Sequence, residues 1–299
     1  MKNFFFLFLL AGIGLTAGAQ SSNFLLYSFK GNVSVVENNT ESKAKVGKLL
    51  NSSASVKLAS GSAVTLICNE AAMFTITKSG TFSLKNFGDS CRINSSSVSA
   101  NYIKYVWAQM TEHSEAPGSN RRAFMNTVGA VSRSINNIWI DPKLDTLNYS
   151  SGEFPLSWKS YADAKDFDFT IYNSSNVTEP IFKTTVGKLK IPVTSFTAKL
   201  KPGTSYLWTA AVKGEDNDEM KVFNYVSAAT FNQVLADIKK QVTAGEGSAE
   251  EAYRTAFMLE DAHYLSEAYQ YYSKAATLDP TNVLYRSTLM SFKKDYEIK

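Results

Sequence analysis

Apolar residues recur at every second position through two long stretches of this chain and then, beyond Phe231, at every third or fourth. A period of two belongs to strands and a period near 3.6 to helices, so this change of spacing sets the fold class. Between 24 and 87 the alternation runs through Val33 and Val35, Val56 and Leu58, Val64 and Leu66, Phe74 and Ile76. Gly31, Gly47, Gly61 and Gly80 interrupt it where the chain must reverse. Between 141 and 231 it runs through Phe154, Leu156 and Trp158, then Phe167, Phe169 and Ile171, with turn residues at 161–166 and 173–176. After Phe231, the residues Val234, Leu235, Ile238 and Val242 form a helical stripe ending near Gly245 and Gly247. The expected architecture is multidomain: mainly β, with an α-helical C-terminus.

The N-terminus carries a second constraint. Met1, Lys2 and Asn3 precede an apolar run from Phe4 to Gly18, which closes on Ala17-Gly18-Ala19 before Gln20. That is the pattern of a signal peptide cut between Ala19 and Gln20, and the run is shorter than the ~20 residues of a membrane-spanning helix. An uncleaved anchor is the alternative. The expected location is the periplasm or the extracellular space, with no transmembrane span in the mature chain. Charged residues make up 19% of the chain, hydrophobic ones 44%, and the net charge is +4. Such a composition folds, at this length into about two or three domains. The only dense basic feature is the pair Arg121-Arg122, which argues against a nucleic-acid partner. Cys68 and Cys91 are the only two cysteines. In an oxidising compartment they are expected to pair, closing a loop worth about 3 kcal/mol; two buried free thiols are the alternative.

Three segments resemble known families. Gly31-Asn-Val-Ser-Val, Ala44-Lys-Val-Gly-Lys-Leu and Val56-Lys-Leu-Ala-Ser-Gly-Ser-Ala-Val-Thr-Leu resemble the FecR-type extracytoplasmic β domain. Leu200-Lys-Pro-Gly-Thr-Ser-Tyr206-Leu-Trp208 resembles the stretch before a late strand of a fibronectin type III or related immunoglobulin-like sandwich. There the tyrosine turns the corner between sheets, its hydroxyl bonding upstream backbone, while Trp158 takes the place of a buried core tryptophan. Ala252, Ala256, Leu259, Ala268, Tyr272, Ala275 and Pro280 resemble a tetratricopeptide repeat, introduced by a capping box at Ser248 and Glu251. One repeat cannot bury its own face, so helices at 231–243 and 282–296 are expected to flank it. The resemblances imply a signal peptide over 1–19, a FecR-like domain over 20–94, and a linker with a short helix starting near Tyr102 over 95–140. A sandwich over 141–230 and a tetratricopeptide-like region over 231–299 complete the order.

The sequence offers little for catalysis. Its two histidines, His113 and His263, fall in a loop and on the helical pair, outside any nucleophile, phosphate or metal motif. No enzymatic role, cofactor or metal is expected. The acidic run Glu215-Asp-Asn-Asp-Glu219 reads as a hairpin tip between Val212 and Val222, with a cation site as the alternative. Trp107, Trp139, Trp158 and Trp208 read as core, with a sugar-stacking platform as the alternative. The expectation is a binding or scaffold protein of the bacterial cell envelope that holds a protein partner. Its contact surface is expected in a helical groove around Tyr253, Leu259, Tyr269 and Tyr272. A periplasmic signal-sensing component and a carbohydrate-binding module, with its glycan contact, are the other readings.

Overall fold

A computed structural model describes residues 23–92, 98–111, 121, 137–241 and 245–298. The Ala19–Gln20 cleavage site, His113 and Val242 lie outside the described residues.

Eight strands form the first unit: β1 Asn23–Lys30, β2 Val33–Glu37, β3 Thr40–Lys43, β4 Leu49–Asn51, β5 Ser55–Leu58, β6 Ala63–Cys68, β7 Ala72–Ile76 and β8 Gly80–Ser83. They make two antiparallel sheets, ordered β4-β1-β6-β7 and β3-β2-β5-β8. Phe24, Leu26, Val35, Val56, Val64 and Leu66 fill the core of this unit. Asn38 and Asn39, at φ 49° and 62°, form the two-residue turn joining β2 to β3, a conformation that suits asparagine. Gly31 is required at φ +79°, because a Cβ there would meet Ser62 Oγ at 2.6 Å.

Strand β6 departs from simple alternation, since all six of its residues are buried. The reason is that its sheet is covered on both faces. Leu25, Tyr27, Ile67 and Met73 join a second, larger core, on the side where helix α1, Ala100–Thr111, packs. Sequence spacing predicts a short helix here but places it in a linker. The structure corrects that reading: Tyr102, Ile103, Tyr105, Val106 and Trp107 are all buried, so α1 is a core element. Cys68, at the end of β6, and Cys91, in a 3-10 turn over Asp89–Arg92, stand at disulfide distance with Cα atoms 5.2 Å apart. The pair fastens the chain beyond β8 to the sheet.

The second β unit begins slightly before 141. It comprises β9 Ile138–Trp139, β10 Thr146–Tyr149, β11 Pro155–Ser157, β12 Lys159–Ser160, β13 Phe167–Asn173, β14 Asn176–Val186, β15 Lys190–Pro192, β16 Thr204–Val212 and β17 Lys221–Tyr225. A five-stranded sheet, β10-β17-β16-β13-β14, has β10 parallel to β17 and is otherwise antiparallel; β11 pairs with β15 and β12 with β9. Trp158 stacks on Phe169, which also lies against Phe196 and Trp208. The Tyr206 hydroxyl accepts a 2.8 Å bond from the Lys201 amide, so the tyrosine does turn the corner onto upstream backbone.

Four helices follow: α2 Ala228–Lys240, α3 Ser248–Asp261, α4 Leu265–Leu278 and α5 Val283–Asp295. Helix α2 packs on α3, α3 on α4, and α4 on α5. The expected flanking helices are therefore present. The expected capping box is not: Ser248 is already helical, Gly247 occupies the cap position, and no side chain bonds there. Ser227 caps α2 and Asn282 caps α5 instead.

The helices dock on the second β unit through the turn after β10. Glu267 Oε1 accepts the Ser150 and Ser151 amides at 2.7 and 2.9 Å, and Ser266 donates to the Ser151 carbonyl. Gly152 sits beneath α4 at φ +95°, where a Cβ would come within 2.2 Å of Gln270 Nε2 and 2.7 Å of Ser266 Oγ. Gly203 has a similar φ of +82° but open space around it. Gly152→Ala is therefore expected to lose about 2–4 kcal/mol in urea unfolding, from backbone strain plus overpacking, and Gly203→Ala only about 1 kcal/mol from strain alone. Equal losses would mean that the interface gives way freely.

Candidate functional site

The groove expected around Tyr253, Leu259, Tyr269 and Tyr272 is already filled by the chain itself. Tyr253, Leu259 and Tyr272 are fully buried. Tyr253 lies against Tyr285 of α5 at 4.6 Å, and its hydroxyl bonds Tyr105 of α1 and Thr288 of α5. Tyr269 is half-buried and stacked on Phe292. The four residues are contacts of the core.

Arg121 shows why the groove is closed. It comes from the stretch of 95–140 that sequence spacing reads as a linker, yet its side chain is 0% exposed. Its Nε bonds both Glu260 oxygens at 2.9 and 2.8 Å, Nη1 bonds Ser291 Oγ, and Nη2 bonds Asp295. The guanidinium lies 5.2 Å from the centre of the Phe292 ring. Tyr272 and Tyr296 donate to the same Glu260 carboxylate. Burial alone would lower the Arg121 pKa, but Glu260 and its neighbours reverse this and raise it, so the guanidinium stays charged.

The other sequence candidates take structural places. Trp107, Trp158 and Trp208 are buried, while half-buried Trp139 lies under Lys159, whose Nζ is 5.0 Å from the ring centre. The acidic run forms the β16–β17 connection. Within it Asn217 turns inward and donates to the Ala210 carbonyl, and Glu219 pairs with Lys221 at 2.7 Å. His263 holds the α3–α4 turn at φ +61°, and its carbonyl accepts the Asn148 amide. Among the described residues no cluster of three His, Cys, Asp or Glu is placed to hold a metal.

Beside a shallow opening of about 360 Å³ on the β2–β3–β5 face, lined by Ser34, Glu41, Lys43 and Lys57, two openings lie at junctions between parts of the molecule. The first, of about 190 Å³, lies between Trp139, Lys143 and Trp158 on one side and Asp295 to Glu297 on the other. Its charges answer one another: Lys143 stands 3.4 Å from Asp141 and 4.0 Å from Asp295. The second, of about 280 Å³, lies where the first β unit, α1 and the helical region meet. Tyr27, Ser28, Phe29 and Lys30 of β1 line it, together with Val46, Met110 of α1, Gly245, Gly247, Ala249 and Glu250 before and at the start of α3, and Asp279, Asn282 and Tyr285 at the α4–α5 turn.

This junction cleft is lined by a buried carboxylate. Glu250 is 6% exposed, and its Oε1 has no hydrogen-bond partner among the described residues. Arg254 relieves it only in part, because its Nε and Nη2 are bound to Glu246 at 2.7 and 2.9 Å. Burial, then repulsion from Glu246, push the Glu250 carboxyl up to about 7, against the partial relief of Ser28 and the Gly247 amide. No signal in the sequence marked Glu250, since a glutamate in the first turn of a helix is ordinary. Only the packing of β1 against α3 removes it from water.

No family model matches this chain, and no curated protein matches it.

Two measurements check these assignments. Arg121→Ala should destabilise by about 3–5 kcal/mol in denaturant unfolding, because it strands the buried Glu260 carboxylate, whereas replacing Arg121 and Glu260 together by Met and Gln should cost less. For Glu250, a carboxyl raised from 4.5 to about 7 favours the folded state when protonated. Its penalty is absent below the unfolded value, grows as pH rises between the two, and reaches about 3 kcal/mol above pH 7. Glu250→Gln should therefore match the native protein near pH 4.5 and exceed its stability by pH 8, a divergence that paired unfolding curves would detect.

Proposed function

We propose that this chain is an exported, non-enzymatic binding or scaffold protein of the bacterial cell envelope that engages a protein partner. The apolar N-terminal run followed by a small-residue cleavage pattern supports export, as does the buried Cys68–Cys91 pair, which suits an oxidising compartment. The first β unit keeps its FecR-like assignment within this reading, the second its fibronectin-like one, and α3–α4 their tetratricopeptide-like one. A scaffold role draws on the shared core: β1, α1, the second β unit and the helices contribute to one apolar cluster.

The observation that carries the reading is the apolar rim of the junction cleft. Phe29 is 38% exposed and Val46 is 42% exposed, side by side with Met110 at a meeting point of three parts of the molecule. Apolar side chains gathered around a cleft mark a contact site more strongly than scattered ones. The occupant is a partner segment with an apolar anchor and a basic side chain, because Glu250 and Asp279 give the cleft its acidic lining. The closed groove shifts the contact from the α3–α4 pair to this cleft.

Capture from envelope extract with the mature chain, beside a Phe29→Asp, Val46→Glu variant, tests the site. These exposed positions should tolerate the changes, and partner recovery should fall at least ~10-fold, the scale of losing one central anchor. Equal recovery by a folded variant would remove the cleft from the proposal.

A further inference from the structure

We propose that the junction cleft binds a primary ammonium group, with the Glu250 carboxylate as its anchor and the Tyr27, Phe29 and Tyr285 rings as its walls. This deepens the reading of the cleft as a contact surface and rests on it.

Three independent features converge on that chemistry. The cleft holds about 280 Å³, enough for an alkyl or aryl amine of side-chain size and small for a larger ligand. Its acidic member, Glu250, is buried with an unpartnered Oε1, so a donor arriving in the cleft restores a bond that folding left unmade. Aromatic residues border the same space, and ring faces attract ammonium groups through their quadrupole.

The charges around Glu250 favour a cation over an anion. On α3, Arg254 is committed to Glu246 by two hydrogen bonds. From the α4–α5 turn Asp279 adds negative charge, although its Oδ1 also holds Thr281. From β1, Ser28 bonds Glu250 and Lys30 contributes the one positive side chain lining the cleft among the described residues. Tyr102 of α1 and Tyr27 of β1 bond each other at 2.6 Å. Tyr285 of α5 borders the cleft as a neutral ring, its ionisation pushed upward by burial. The first turn of α3 offers backbone N–H groups, yet Glu250 in that same turn repels an anion.

Binding in this way is coupled to protons. An ammonium group pairs with the charged form of Glu250, so the carboxyl releases its proton as the ligand enters. Affinity should fall as pH drops below about 7, the region where free Glu250 takes up its proton.

The test uses the mature full chain and 2-phenylethylammonium, followed by calorimetry and by Met110 methyl and tyrosine NMR signals. The expected result is binding with shifts at Met110, Tyr27 and Tyr285, weakened roughly tenfold or more by Glu250→Gln, the scale of a charge-assisted hydrogen bond. A tenfold loss per pH unit should follow below the Glu250 transition. 2-Phenylethanol and 3-phenylpropionate should fail to compete. Equal affinity for Glu250→Gln, or equal competition by the alcohol or the carboxylate, would overturn the proposal. Val46→Trp, which blocks the opening from an exposed position, provides a second variant if Glu250→Gln does not fold, and it should weaken binding about tenfold or more as well, unchanged affinity overturning the proposal. A blocked lysyl peptide distinguishes sources: tighter binding than the free amine assigns the ammonium to a protein side chain, and weaker binding assigns it to a small amine. Because the probe is measured without any partner, its failure with intact partner capture refutes this inference alone. Equal partner capture by the native chain and the folded Phe29→Asp, Val46→Glu variant refutes the broader reading.

Discussion

Buried hydroxyl groups must find partners, and in this protein that requirement fixes how its parts meet. Tyr27 of β1 bonds Tyr102 of α1 at 2.6 Å, while Tyr105, one turn further on, bonds Thr288 of α5 and accepts from Tyr253 of α3. Tyr253 in turn bonds Thr288. The rings follow the same path, Tyr102 and Tyr105 both lying on Phe257 at 5.5 and 5.0 Å. Each ring gains by burial, but each hydroxyl would cost about 1–3 kcal/mol if left alone. Satisfying all of them at once admits few placements of α1. A sheet, a central helix and two terminal helices are thus registered by polar atoms inside an apolar core.

The same core explains why the α3–α4 pair exposes no groove. Small residues at Ala252, Ala256, Ala268 and Ala275 let α3 and α4 approach closely, and all four are buried. In a longer array the next repeat would cover the remaining face. Here α1, α5 and Arg121 do so. An arginine suits the position because Glu260, Ser291 and Asp295 surround it with acceptors in different directions, which a planar fork of donors can meet and an ammonium cannot.

Much of the fold was legible because alternation is a local property. Val56 and Leu58, Phe167 and Phe169, and the turn at 173–176 read correctly from spacing alone, whereas the bond of the Tyr206 hydroxyl to upstream backbone was expected from a resemblance carried by a short run of residues. Strand β6 was legible as a strand but not as a doubly buried one, since what covers its outer face is α1, distant in sequence. Helix α1 was misplaced for a related reason. Tyr102, Tyr105 and Val106 mark a helix, but Ser/Asn-rich and Pro/Gly-containing flanks suggested a linker, and only tertiary packing shows the helix at the centre. Ser248 looked like a cap because Ser-x-x-Glu is a local motif; the helix begins one residue earlier than that motif requires, with Gly247 as its cap. The groove failed hardest, since a repeat motif specifies how two helices pack together and says nothing of what lies over them.

Glu250 poses the opposite problem, a cost without a local reason. Glutamate in the first turn of a helix is favoured by the helix dipole, and Glu251, beside it, stays near solvent and reaches Lys239 at 3.6 Å. Glu250 faces β1 instead, where burial and Glu246 oppose its charge. Arg254 is one turn away and relieves it only weakly, since its hydrogen bonds go to Glu246 and the Ile238 carbonyl. Glutamine would fill the same space without the charge. Glu250 lines a cleft with apolar and aromatic walls and its buried Oε1 has no hydrogen-bond partner among the described residues, so a cation arriving there would turn a folding penalty into binding energy.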